Sequence, residues 1–185
     1  SVDLQKNLGF VSRAPKWAIA YKFPPTQKTT KIRDITVQVG RTGAMTPVAE
    51  LEPVHIDGST ISRATLHNMD EIDRLGIRIG DTVVVQKAGD IIPEVVSVDI
   101  NKRNGSEQPF TMPSVCPVCG SKVLRVDGEA TIRCSGNTCP AQLQEALVHW
   151  SSRKAMNIEG LGPSIISALV ESGTINCIVD LYKIK

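Results

Sequence analysis

The chain has 185 residues, 41% of them hydrophobic, and a formal charge of +2 at pH 7, which describes a globular polypeptide with room for one or two small domains. No apolar run is long enough to cross a membrane, and no basic-apolar leader with a cleavage site is present. This sets aside membrane-embedded and disulfide-scaffolded secreted classes and predicts a cytoplasmic protein.

The near-zero net charge hides a segregation. Residues 1–33 hold seven Lys/Arg against one Asp, 34–100 five against eleven acidic residues, and 101–154 seven against four. Basic surfaces therefore flank a more acidic middle. The chain starts without Met, and its first residues, basic and aromatic, read as the end of something larger.

From 31 to 40, KIRDITVQVG alternates Ile35, Val37 and Val39 with Thr36 and Gln38, the period of a half-buried strand. Arg41-Thr42-Gly43 breaks the pattern and AMTPVAEL (44–51) resumes it, so a hairpin is predicted. Pro47 assigns the second run to an edge or bulged strand, as at the rim of a partly open barrel. A third run covers 59–66. A short helix follows, with Asn68 as cap, Ile72 and Leu75 facing inward and Gly76 as its stop. IGDTVVVQ (79–86) and DIIPEVVSVD (90–99) then pair about Lys87-Ala88-Gly89. Several short strands and one helix in so few residues fit an OB-like barrel, the five-stranded fold of many oligonucleotide binders. An SH3-like or other small barrel would leave the same strand pattern.

Cys116/Cys119 in CPVC and Cys134/Cys139 in CSGNTC form two close pairs separated by fourteen residues. Zinc favours a tetrahedron of thiolates, and each pair lets one turn supply two ligands, so a structural Zn2+ site is predicted. Two disulfides are the alternative, disfavoured where nothing points to an oxidising compartment. Cys177 stands alone in an apolar stretch and reads as a buried core residue. His55, His67 and His149 lie at no catalytic spacing and are given no chemistry.

After the cysteines, PAQLQEALVHWSSRKAM (140–156) places Leu143, Leu147 and Trp150 at helical spacing, with Pro140 in the first turn. A second helix starts near Pro163 with Ile165, Ile166, Leu169 and Val170, and stops at Gly173. Gly160 and Gly162 lie between the two. This is the helix-hairpin-helix pattern, in which glycines let a phosphate approach backbone N–H groups at a helix start. A plain helical hairpin would need glycine for its turn as well. Residues 179–185 begin another helix.

The strings LGFVSRAPKWAIAYKFPP (8–25), VQVGRTGAMTPVAELEPV (37–54), ATLHNMDEIDRLGIRIGD (64–81), KAGDIIPEVV (87–96) and CPVCGS, with the Cys134/Cys139 pair, closely resemble bacterial NAD+-dependent DNA ligases through essentially the whole chain. The resemblance implies a multi-domain, mainly β plus α chain. Residues 1–25 would end the nucleotidyltransferase (adenylation) domain, 26–105 form an OB-fold domain, 106–140 a four-cysteine zinc finger, and 141–185 the start of a helix-hairpin-helix domain.

It also implies residue roles. Lys22 in AIAYKFP matches the last lysine motif of the nucleotidyltransferase core, whose ammonium contacts the nucleotide phosphate and stabilises charge during adenylyl transfer, a catalytic and cofactor-binding role. Arg41 in VGRTG matches the arginine that the barrel presents to the minor groove near the nick. Arg13 and Lys16 stand where phosphate contacts are expected, and Gly160 and Gly162 would bring amides to phosphates downstream of it. The implied partner is nicked double-stranded DNA, bound by a monomer, with NAD+ and Mg2+ or Mn2+ required by the intact enzyme.

The K-x-D-G lysine of adenylation is missing from these residues. The one x-D-G, in Arg125-Val126-Asp127-Gly128, carries an arginine that stays protonated and cannot attack phosphorus, so it reads as a turn. The segment alone is thus expected to be inactive, and the other reading is a self-standing, non-catalytic duplex-DNA-binding module.

Overall fold

The computed structural model describes residues 1–21, 24–89, 91–126 and 128–184. Among them no helix is long and apolar enough to cross a membrane. Helix α1 (Val2–Leu8) is capped by the Ser1 hydroxyl, buries none of its residues, and leads into the two-residue strands β1 (Phe10–Val11) and β2 (Ala14–Pro15). Phe10, Val11, Ile19 and Tyr21 are exposed.

Strands β3 (Lys28–Val39), β4 (Met45–Ile56) and β5 (Ser59–Thr65) follow, then α2 (Met69–Leu75), β6 (Arg78–Ile79), β7 (Thr82–Ala88) and β8 (Ile92–Val98). The barrel runs β3-β4-β5-β8-β7 and closes through β3–β7, with one parallel contact at Thr65 and Glu94 of β5 and β8. Five strands in this order make an OB barrel.

The expected open rim is overturned, and β4 is an interior strand, paired on both sides. Pro47 sits there almost fully buried, opposite Val37. Its carbonyl accepts from Leu66 N–H at 3.0 Å, so its nitrogen faces the same neighbour, just beyond the last β5 pair, Val48 with Thr65. The carbonyl opposite that nitrogen, Leu66 O, accepts from Asn68 N–H at 2.7 Å instead, so the missing donor leaves no acceptor unpaired. Bulges between Ile32 and Asp34, between Glu50 and Val54 and between Val84 and Val85 supply the curvature that closure needs.

The barrel core is Ile32, Ile35, Ala49, Leu51, Ile56, Ile61 and their neighbours, with Ile72 of α2 inserted into it. Asn68 Oδ1 caps α2 by accepting from Glu71 N–H at 2.9 Å, and Gly76 ends it in the left-handed region at φ 63°. Asp81, wholly buried, accepts from Arg78 N–H at 2.8 Å and from Arg103 Nε at 2.7 Å and Nη2 at 2.8 Å. Arg103 also donates to the Gly76 carbonyl at 2.6 Å. This clasp ties the chain leaving the barrel back onto it. A 3-10 turn (Ile100–Lys102) precedes the clasp's arginine, and β9 (Gln108–Pro109) then pairs with β6.

Beyond it, β10 (Val123–Arg125) and β11 (Ile132–Cys134) make a small hairpin, followed by α3 (Pro140–Ser151) and α4 (Pro163–Glu171). Leu147, Ile166 and Ile175 form their common core, while Ile165 points outward. Helix α3 ends five residues short of the expected 156. The Ser151 and Ser152 hydroxyls donate to the carbonyls of Val148 at 3.1 Å and His149 at 2.7 Å, and Ser152 turns extended.

The C-terminal run is a 3-10 helix (Ile178–Lys183) capped by Cys177. Cys177 is exposed rather than buried, because capping holds it at the surface with its N–H donated to Asp180 at 3.0 Å.

Candidate metal centre and nucleic-acid surface

Two tight turns and a helix start bring the four cysteines together. Cys116 N–H donates to Ser121 O at 2.8 Å and Gly120 N–H to Cys116 O at 2.9 Å, which folds CPVCG back on itself. Gly136 fits closely in the second turn, since a Cβ there would lie 2.6 Å from Ser121 Oγ and 3.0 Å from Cys119 Sγ. Cys139 is the N-cap of α3, where the positive end of the helix favours a thiolate.

The sulfurs of Cys116, Cys119, Cys134 and Cys139 all lie within 4.8 Å of one another, with Cys119 to Cys134 at 3.4 Å and Cys116 to Cys139 at 4.0 Å. A tetrahedron of zinc–sulfur bonds has edges of about 3.8 Å, whereas a disulfide needs about 2.05 Å. The donor set and spacing fit a structural Zn2+ and not two disulfides.

The thiols are electrostatically unequal. Hydrogen bonds from the Ser121 side chain and backbone draw Cys119 down to about 6, while burial pushes Cys134 up to about 12 and Cys139 upward as well. Buried thiols of this kind shed their protons when a dication takes their place, which makes metal affinity pH-dependent.

The cysteine module rests on the β3–β4 turn. Val39 and Met45, the two ends of that hairpin, share a core with Cys116, Cys134 and Cys139. Cys134 N–H donates to Gly43 O at 2.8 Å, and Arg133 Nη1 donates to Thr42 Oγ1 at 2.8 Å. Arg41, exposed on this turn, lines a groove with Cys139, Pro140 and Gln142.

The other expected contacts are scattered. Arg13 and Lys16 are exposed beside β1 and β2. Gly160 has φ 80° and Gly162 is the N-cap of α4, and a Cβ on either would meet nothing within 4 Å. The loop backbone is thus open to approach. Arg153 lines the same hollow as both glycines, a cation that helical spacing alone did not single out. Lys22 lies outside the described residues, as does Asp127. The Arg125 side chain forms an ion pair with Asp70 of α2 at 2.8 Å, and Gly128 has φ 84°.

Sequence reasoning also missed Ser121, Thr42, Gly43 and Arg133. Only Ser121, two residues past Cys119, carried a local signal.

Three family models match in chain order: the NAD-dependent DNA ligase adenylation domain at residues 1–26, the NAD-dependent DNA ligase OB-fold domain at 29–107 and the NAD-dependent DNA ligase C4 zinc finger domain at 115–141. The chain is 59% identical over 185 residues to a DNA ligase of Halothermothrix orenii, covering 100% of this chain and 28% of that protein. It is 55% identical over 185 residues to one of Pelotomaculum thermopropionicum, covering 100% and 27%. With one of Marinobacter nauticus it shares 56% over 184 residues, covering 99% and 27%. The chain therefore spans just over a quarter of the length of these relatives.

Proposed function

Because this chain belongs to the NAD-dependent DNA ligase family, we propose that it is the segment with which such an enzyme grips a nicked duplex during sealing. In this reading residues 1–25 end the nucleotidyltransferase domain, 26–105 are the OB-fold domain, 106–140 the zinc finger and 141–185 the start of a helix-hairpin-helix domain. NAD+ would supply an adenylyl group, first to a lysine with release of nicotinamide mononucleotide and then to the 5′-phosphate; attack by the 3′-hydroxyl would close the phosphodiester bond and release AMP, with Mg2+ or Mn2+ supplying compensating charge. Lys22 places its ammonium on the nucleotide phosphate.

The observation that carries the reading is the exposed Arg41 on a turn braced by the cysteine module, within a chain that is similar to DNA ligases along its whole length. Arg41 enters the minor groove beside the nick. Gly160 and Gly162 offer backbone N–H groups to phosphates, with Arg153 adding charge at the rim. Arg13 and Lys16 make further phosphate contacts. The protein acts as a monomer in the cytoplasm.

Fluorescence anisotropy with a nicked duplex tests this. Arg41→Ala weakens binding by about tenfold, the loss of one groove contact. A variant that binds as tightly as the parent would remove Arg41 from the interface. The 185-residue polypeptide on its own binds and does not react. Incubated with NAD+ carrying a labelled adenylate it stays unlabelled, and covalent labelling would show that a nucleophile had been overlooked.

A further inference from the structure

The Arg41 turn has a short internal frame: Gly43 N–H donates to Gly40 O and Gly40 N–H to Ala44 O, both at 2.9 Å. Everything else that grips it from the side belongs, among the contacts described above, to the cysteine module some 90 residues later in the chain. Arg133 Nη1 reaches Thr42 Oγ1 at 2.8 Å and Thr42 O at 3.4 Å, and Cys134 N–H reaches Gly43 O at 2.8 Å. Ala44 and Arg133 form a β-bridge. Gly43 has φ 77°, and a Cβ there would lie 2.8 Å from Cys134 O and 3.1 Å from Gln142 Nε2, so the two backbones touch where only glycine fits. Cys134 is one of the clustered thiols, and its main chain is the one bonded to the turn.

We propose that Arg133, Thr42 and Gly43 are positioning residues for Arg41: the finger fixes the base of the turn, and thereby where that side chain points. The inference rests on the reading of Arg41 as a groove contact. A long arginine on an unbraced turn must give up backbone and rotamer freedom when it binds, and bracing the turn beforehand removes the backbone share of that cost. The finger contributes to binding without its own side chains touching the ligand.

The zinc-loaded 185-residue chain permits the test. Arg133→Ala should retain its zinc and speed amide exchange across residues 40–44 by about tenfold, since local opening sets exchange. It should weaken nicked-duplex binding severalfold in the parent, but add less than about twofold once Arg41 is already alanine, the mark of coupled residues. Unchanged exchange at 40–44 would overturn the proposal, as would losses that multiply, which would mean that Arg133 acts on the duplex by itself. Should Arg133→Ala shed zinc, Thr42→Val, which exchanges the hydroxyl for a methyl and so loses the Arg133 bond to Oγ1, gives the same readings with the finger untouched. If exchange rises while Arg41→Ala binds like the parent, the brace stands and the groove contact falls.

Discussion

Arg103→Ala is the sharpest test of how the barrel is fastened. Asp81 has no exposed surface, and two of its three hydrogen bonds come from Arg103, whose own side chain is 19% exposed. Truncation leaves a buried carboxylate with the Arg78 N–H alone and frees the Gly76 carbonyl at the end of α2. Breaking a buried pair costs about 3–5 kcal/mol. Arg103 sits at the rim, where water can partly replace it, so the lower end applies, about 3 kcal/mol. For a domain of the barrel's size, matched over residues 29–107, that lowers its thermal midpoint by about 12–24 °C. Urea denaturation followed by far-UV circular dichroism reads the loss directly. Arg103→Ala combined with Asp81→Asn should be less destabilised than Arg103→Ala alone, because the orphaned charge has gone. A loss below about 1 kcal/mol for Arg103→Ala, or a double variant worse than the single, would refute the clasp.

Zinc removal should open the finger first, because among its described residues the only buried side chains are Cys116, Cys134 and Cys139. Hydrogen exchange after chelation should rise across 115–139 while the barrel strands stay protected, and uniform exposure of both would contradict this order. Gly160→Ala forces a side chain into φ 80° without a clash, and should cost about 1 kcal/mol of stability. Its zinc content should not change, and its affinity for duplex DNA should fall. Acid titration has a defined sign. The Arg74 side chain holds Glu71 below the ordinary carboxylate range, backbone N–H groups of the 104–105 turn do the same for Glu107, and Lys183 does so for Asp180. Depressed carboxylates stabilise the fold above their unfolded values and lose that contribution as pH falls through the folded ones, so stability should decline below about pH 4. A chain whose unfolding midpoint did not move between neutral and acid pH would exclude these pairs.

Local signals were read well. Asn68 and Gly76 bound α2 as capping chemistry demands, and Pro140 and Pro163 open α3 and α4. The four thiols could be paired from spacing alone because each turn brings its own two ligands. What failed depended on distant partners. Pro47 pointed to an edge or bulged strand, and β4 is bulged between Glu50 and Val54 but is not an edge, because nothing near Pro47 in sequence shows that a strand pairs on each side. Closure of the barrel lies in the β3–β7 ladder and the single parallel contact between β5 and β8. Cys177 looked internal from its apolar neighbours, yet it caps a short helix at the surface. The Thr42–Arg133 bond spans 91 residues and left no local trace.

That the hairpin ends Val39 and Met45 share their core with three of the clustered cysteines also constrains the order of assembly. The finger lacks an apolar floor until the barrel's longest hairpin exists, so metal capture during synthesis waits on strands translated long before. Cutting the molecule between the two modules would bare a greasy spot on one product and leave the other unable to close, which makes the conventional domain boundary a poor place for scissors.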